Sequence, residues 1–292
     1  MTLLQAIFMG VIQGLTEFLP VSSSGHIALF KNLFHMNTDT GLLFDVLLHI
    51  GTLVAVCAVY HHDIKKMLQE FVKIIQEVYR NIIIFIKNKK EEQGEPYIHI
   101  VRNSYRKMAI LIIVSTIPTA VIGLVSKDLV ELGGSLLLIP GVGLLITSVI
   151  LFVSDFLPEG NKLPRKVTYT NAFMIGICQG IATLPGISRS GTTVTACIAS
   201  GFKRSFAVKY SFLMSIPAII GSLILELFEL GSVTVTAAQV GYYLIGMVIA
   251  GVIGYICIQA MLVIVKSKKF IYFAVYCFLI GILSVGGYFY TA

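Results

Sequence analysis

Near the start of the chain, Glu17 and His26 bracket a run of three hydroxyls, Ser22, Ser23 and Ser24, in a stretch that is otherwise apolar. A second polar set stands far downstream, where Arg189 lies between Ser188 and Ser190 and is followed by Thr192 and Thr193. These residue types suit one kind of chemistry. An arginine presents a planar, permanently charged fork matched to phosphate oxygens. Backbone amides at the start of a short helix, freed by Gly25 and Gly191, point at an anion with the helix dipole behind them. A serine near a histidine offers a nucleophile and a base, and a carboxylate can orient the imidazole or hold a divalent cation. Phosphoryl transfer asks chiefly for such positioning and charge neutralisation.

The two sets are copies of one motif. Gln13, Gly14, Ser22, Ser24 and Gly25 return 166 positions later as Gln179, Gly180, Ser188, Ser190 and Gly191, without a gap. The match extends upstream through Ala6/Ala172 and Gly10/Gly176, and downstream to Phe44–Ile50, which faces Tyr210–Ile216. A repeat of about 50 residues inside an apolar chain marks an internal duplication. The copies differ where chemistry would differ. One brings an acid and a base; the other brings a fixed cation.

Composition places these motifs in a membrane. Hydrophobic residues make up 56% of the chain and charged residues 13%, with a mean hydropathy of +0.87, well outside the range of soluble domains. Stretches near 41–60, 106–126, 134–156, 206–228, 236–265 and 269–290 approach or exceed the roughly 20 residues that cross a bilayer. The segments 1–17 and 170–184 are also apolar, but each runs into a Pro/Ser/Gly motif and then a short segment, 24–34 or 191–201. That pattern predicts two re-entrant helical hairpins, 1–34 and 170–201, whose irregular turns are tolerated at membrane depth only where protein or a water-filled cavity satisfies them. No basic stretch precedes the first apolar segment and no small-residue cleavage site follows it, so it does not read as a signal peptide.

Basic residues set the topology. The segment 61–107, the groups Lys162/Arg165/Lys166 and Lys203/Arg204/Lys209, and the group Lys266/Lys268/Lys269 together hold 19 of the 22 Lys and Arg. Placing them in the cytoplasm leaves Asp128, Glu131, Glu226 and Glu229 opposite and both termini outside. The first hairpin then enters from outside and the second from inside. The expected fold is an all-α polytopic membrane protein with six transmembrane helices and two re-entrant hairpins in an inverted-topology repeat. It forms a single integral membrane domain over 1–292, with repeat one near 1–126 and repeat two near 134–292. Within the basic segment an amphipathic helix is expected over 64–88. The net charge of +7 is mostly this inside bias, with some attraction to anionic headgroups.

Blander readings exist for individual residues. Serines form turns and cap helices, and Glu17 and Arg189 would serve as a buried ion pair that only holds the hairpins together. Neither explains the crowd of hydroxyls on the same two turns. The five cysteines sit in apolar segments without CxxC spacing and are expected to be neither disulfides nor thiolate ligands. Ionisable residues at membrane depth are functional until shown otherwise.

At these motifs the chain resembles the undecaprenyl-diphosphate phosphatases, the bacitracin-resistance proteins BacA or UppP, whose signature motifs read (E/Q)GxxEFLPxSSxGH and PGxSRSGxT. The resemblance covers essentially the whole length. It implies hydrolysis of undecaprenyl diphosphate to the monophosphate carrier of peptidoglycan precursors, and dependence on a divalent cation, Mg²⁺ or Ca²⁺. Carried onto this chain, it implies catalytic Glu17, Ser23, His26 and Arg189. Substrate contacts would come from Ser22, Ser24, Gly25, Ser188, Ser190, Gly191, Thr192 and Thr193, and metal contact from Glu17 and Gln13. Gln13 is a departure, since many members carry glutamate there and Gln removes a charged ligand. The expected partners are a polyprenyl diphosphate and membrane lipids in a bacterial cell membrane, with no nucleic acid and a homodimer left open. Two other classes compete. A lipid-phosphate flippase would share the inverted repeat but needs no nucleophile. A type-2 phosphatidic acid phosphatase needs a His-x3-Asp after its Ser-Arg, and no histidine follows His99.

Overall fold

The computed structural model describes residues 1–33, 41–89, 94–130, 137–229 and 236–291. Lys90, Glu131, the side chain of Glu229 and the first residues of the span expected from 134 fall outside them. The described elements are helical: α1 Leu3–Phe18, α2 Ser23–Leu33, α3 Gly41–Val59, α4 His61–Asn88, α5 Ser104–Val125, α6 Leu138–Phe156, a 3-10 turn Pro164–Lys166, α7 Tyr169–Ile181, α8 Arg189–Ala199, α9 Arg204–Glu229, α10 Ala237–Lys266 and α11 Phe270–Thr291.

Six of these, α3, α5, α6, α9, α10 and α11, are long and apolar enough to cross a membrane. They begin and end within a few residues of the expected spans. Their outward faces carry exposed Val, Ile, Leu and Phe side chains, as a helix facing lipid must. The protein is a multi-pass, all-α membrane protein.

The duplicated segments each fold as two short helices joined by a turn, and their ends are built alike. Thr2 caps α1 in a capping box with Gln5, and Thr168 caps α7 in a capping box with Asn171. The 166-residue offset of the motif relates both pairs, so the duplication reaches into the capping chemistry. At the other end Pro20, which has no N–H, follows Leu19 and stops α1. In the second copy the chain turns through Gly186 at φ +86°, a conformation open to glycine at no steric cost.

The two helix pairs are embedded differently. α1 packs chiefly against α10, while α7 packs chiefly against α5. A methyl group on Gly176 would overlap the Ser115 carbonyl, so α7 can approach α5 this closely only through glycine. Between the pairs runs a core of fully buried large side chains that includes Phe18, Leu144, Leu151, Tyr210 and Ile175. Pro118 in α5 and Pro217 in α9 each remove a backbone hydrogen bond beside a residue that lines the central cavity, Thr119 and Ala218.

The expected amphipathic helix is α4, three residues longer at its start than the sequence pattern indicated. One side is clamped to the start of α5. Arg106 reaches Glu70 at 2.6 Å and Glu77 at 2.5 Å, and Asn103 donates to Glu70 at 3.0 Å. Leu68, Val72, Ile75, Tyr79 and Ile82 on another face are exposed.

Candidate active site

Each short second helix starts on a serine cap. Ser22 Oγ accepts from Gly25 N at 3.3 Å, and Ser188 Oγ accepts from Gly191 N at 3.1 Å. The role expected of serines at a helix start is therefore filled by the first serine of each motif. Ser22 takes it in a left-handed conformation, φ +69°, which a residue with a Cβ adopts only under constraint. The constraint turns the next residue, Ser23, back toward α1.

The tips of the two helix pairs are in contact. Gly186 N donates to Ser24 Oγ at 3.4 Å, and Ser190 Oγ donates to the Leu19 carbonyl at 3.3 Å. Gly25 faces Gly186, and Gly191 faces Pro20. Thr147 of α6 holds the second tip from behind, donating to Gly186 O at 3.0 Å and accepting from Ser188 N at 2.9 Å.

Where the tips meet, three functional groups converge on one carboxylate. Arg189 Nη2 is hydrogen-bonded and ion-paired to Glu17 Oε1. Ser23 Oγ donates to Glu17 Oε2 at 2.6 Å, and Gln13 Nε2 donates to the same oxygen at 3.1 Å. Arg189 Nη1 is buried with no hydrogen-bond partner, an uncommitted donor on a guanidinium that already holds the acid. Glu17 and Arg189 line a cavity of about 250 Å³, together with Ser22, Ser23, Ser24 and His49. Ser188 and Ser190 complete the wall beside Arg189. An anionic group entering this cavity meets an arginine, a serine on a carboxylate and the first turns of two helices, which is a phosphoryl-transfer geometry.

Other residues of the sequence reading lie differently. His26 is not paired with Ser23. Its Nδ1 meets the Ser22 carbonyl at 2.8 Å, one helical turn back, and its Nε2 meets the Tyr276 hydroxyl at 2.8 Å. The ring also stacks on that of Tyr276, so both nitrogens are committed and Ser23 turns to Glu17 instead. Thr193 ties α8 to α9, donating to the Arg189 carbonyl at 2.8 Å and lying 2.6 Å from Ser211 Oγ. Thr192 is buried with its hydroxyl unpartnered. Neither threonine lines the cavity.

The cavity also contains groups that the motifs did not announce. His49 of α3 and Ser222 and Glu226 of α9 line it. His49 Nδ1 meets the Asp45 carbonyl at 3.0 Å; a carbonyl only accepts, so Nδ1 is the donor. A signal existed for this region, since His49 lies in the downstream arm of the duplication.

The donor set bears on a metal. Gln13 Oε1 is buried without a partner, beside Glu17 and Ser23. One carboxylate, one amide oxygen and one hydroxyl are hard oxygen donors, suited to a cation that also takes phosphate oxygens and water. Among the described residues no group of three or more His, Cys, Asp or Glu forms a closed metal site. All five cysteines are free thiols.

Comparison with known proteins matches this picture. The family described as Bacitracin resistance protein BacA matches residues 6–283. An undecaprenyl-diphosphatase of Desulforapulum autotrophicum is 40% identical over 285 residues, 98% of each chain. Those of Methanosphaera stadtmanae and Alkaliphilus metalliredigens are 36% and 37% identical, covering 97% and 98% of each chain. With the match running through both motifs and nearly every helix, the chain belongs to the BacA bacitracin-resistance family.

Proposed function

We propose that this protein hydrolyses undecaprenyl diphosphate to undecaprenyl phosphate and inorganic phosphate. That reaction returns the lipid carrier to peptidoglycan synthesis and underlies bacitracin resistance. The observation that carries the reading is Ser23 Oγ donating to Glu17 Oε2 at 2.6 Å, with Arg189 on the other carboxylate oxygen. A lipid carrier needs charge complementarity but no hydroxyl set on a base. The named relatives are diphosphatases.

The geometry supports the following sequence. The terminal phosphoryl group enters beside Arg189, whose free Nη1 donates to it, and the first-turn amides of α2 and α8 face its remaining oxygens. Ser23 Oγ attacks phosphorus as its proton passes to Glu17 Oε2. The anhydride P–O bond breaks, and undecaprenyl phosphate departs with the electron pair and takes the proton on from Glu17. The freed carboxylate then accepts a proton from the water that attacks phosphoserine, and returns it to Ser23 Oγ as inorganic phosphate leaves. Arg189 serves throughout by holding charge that grows in the transition state. A Mg²⁺ or Ca²⁺ ion, held by Gln13 Oε1 and Glu17, would supply further charge neutralisation at the phosphate.

The membrane placement belongs to the same reading. With the basic groups in the cytoplasm, α5 and α9 both run outward. Thr119 in the outer half of the first, Val130 just beyond its end, and Ser222 and Glu226 in the last two turns of the second line the cavity. The site therefore opens to the outer face of the cell membrane, both termini lie outside, and the two helix pairs are re-entrant hairpins of an inverted repeat whose tips meet at depth. Purified protein in detergent, given undecaprenyl diphosphate, tests the reading. Release of inorganic phosphate at many turnovers supports it, and substrate binding without any release would favour the carrier.

A further inference from the structure

Between the site and the lipid-facing helix α11 runs a short chain of hydrogen bonds that the catalytic sequence above does not use. Tyr276 of α11 places its hydroxyl 2.8 Å from His26 Nε2 and its ring parallel to the imidazole. His26 Nδ1 lies 2.8 Å from the Ser22 carbonyl. A carbonyl oxygen can only accept, so Nδ1 carries the proton. Nε2 is then the acceptor, and the Tyr276 hydroxyl donates to it. The carbonyl at the end of this chain belongs to the residue in the left-handed conformation. The next residue is Ser23, whose hydroxyl meets Glu17. The neighbour of Tyr276, Cys277, adds a thiol contact to the Pro20 carbonyl at 3.9 Å on the same turn. α11 thus braces the first tip, much as Thr147 of α6 braces the second, and α6 and α11 pack on each other.

We infer that Tyr276 is a positioning residue for the hydrolysis: through its hydroxyl it fixes His26 in the Nδ1–H tautomer, and His26 holds the Ser22 turn that sets Ser23 on Glu17. His26 thereby acts through the backbone, and the proton of Ser23 goes to Glu17. Removing the Tyr276 hydroxyl frees the imidazole to change tautomer, and in part of the population the Ser22 carbonyl loses its shorter, imidazole donor and keeps only the His26 backbone N–H at 3.3 Å. Ser23 then spends less time within reach of Glu17, so turnover falls while the phosphate contacts of Arg189 are untouched.

The inference rests on the phosphatase reading for its kinetic arm, and a spectroscopic arm is independent of it. Tyr276→Phe keeps the stacked ring and removes only the hydroxyl. It should lower kcat about tenfold, the equivalent of one hydrogen bond, with KM within about twofold of wild type. His26→Asn places an amide donor near the Nδ1 position, and His26→Gln places one near Nε2. The Asn variant should keep at least about tenfold more activity than the Gln and Ala variants, on the same one-bond scale. Nitrogen-15 spectra of labelled histidine should show His26 as a single Nδ1–H tautomer in the wild type and as a mixture in Tyr276→Phe. Equal inactivity of the Asn and Gln variants would make His26 a proton-transfer group and overturn the inference. So would an Nε2–H tautomer in the wild type, or a Tyr276→Phe enzyme with unchanged kcat and spectrum. If the wild type released no phosphate, the phosphatase reading would fall, and the tautomer spectra would still decide the brace.

Discussion

Arg189 and Glu17 lie 172 residues apart and form one ion pair where the two copies of the duplicated motif meet. Each copy contributes the charge that the other lacks. Glu17 is 5% exposed, and losing one partner of a buried pair typically costs about 3–5 kcal/mol, because the other charge is left uncompensated. The pair therefore ties the tips together. Because Arg189 keeps an uncommitted donor, it is also available to a ligand.

Arg189→Lys separates these two uses. A lysine can still pair with Glu17, but a point charge does not reproduce a two-pronged donor. Losses of roughly 3 kcal/mol in transition-state stabilisation, above a hundredfold in kcat, are the expected scale. Steady-state phosphate release from the variant checks it, and near-wild-type kcat would reduce Arg189 to a structural counter-ion.

The three serines of the first tip should differ sharply. Ser22 caps α2 and Ser24 touches the second tip, contacts worth about 1 kcal/mol each. Ser22→Ala and Ser24→Ala should keep measurable turnover, while Ser23→Ala should lose it with substrate affinity within a few-fold of wild type. Binding of a fluorescent lipid diphosphate alongside the turnover assay distinguishes the two effects. Equal losses at all three serines would point to general disruption of the turn.

Gln13→Glu tests the cation. A carboxylate in place of the unpartnered amide oxygen adds charge to the donor set, so half-maximal activity should need several-fold less Mg²⁺ or Ca²⁺ than in the wild type. Chelator should abolish activity in both proteins, and restored metal should recover it. Unaltered activity in chelator would remove the metal from the account.

Topology is tested by labelling. In a chain whose five native cysteines are replaced, Ala238→Cys should react with an impermeant thiol reagent added outside whole cells. Tyr97→Cys, in the basic segment before α5, should react only after permeabilisation. The reverse pattern would turn the protein over and open the cavity to the cytoplasm.

The clamp on α4 carries a pH prediction. Hydrogen bonds from Lys73, then Arg106 and Asn103, hold the Glu70 carboxyl down to about 2. A carboxyl depressed in the folded state stabilises fully above its unfolded value, near 4.5, and that contribution is lost as pH falls through the folded value. Resistance of the 94–103 segment to limited proteolysis should therefore hold at neutral pH and decline only as pH drops from about 4.5 toward 2. Arg106→Ala should lower that resistance already at pH 7.

Much of the architecture was legible in the sequence because hydrophobicity and duplication are local signals. The spans, the helix breaks at Pro20 and Gly186, and the juxtaposition of Glu17 with Arg189 all follow from residue type and spacing. Side-chain direction was not legible. The spacing of Ser23 and His26 fits a nucleophile and its base, but the imidazole is claimed by Tyr276, 250 residues away, and no local pattern records that partner. His49 and Glu226 were not legible as site residues for a related reason, Glu226 reading only as an outer-side charge. Each sits among apolar neighbours in a spanning helix outside the two Ser/Gly motifs, and only the packing of α3 and α9 brings them to the cavity.

The central claim is that Ser23, set on Glu17, attacks phosphorus. Undecaprenyl diphosphate carrying a labelled terminal phosphate, mixed with enzyme and quenched within milliseconds in denaturant near neutral pH, which preserves phosphoserine and phosphohistidine alike, tests it most directly when the protein is then mapped by mass spectrometry. The account predicts label on Ser23, absent in an inactive Ser23→Ala enzyme. Label on His26, or a fully active Ser23→Ala enzyme, would contradict it.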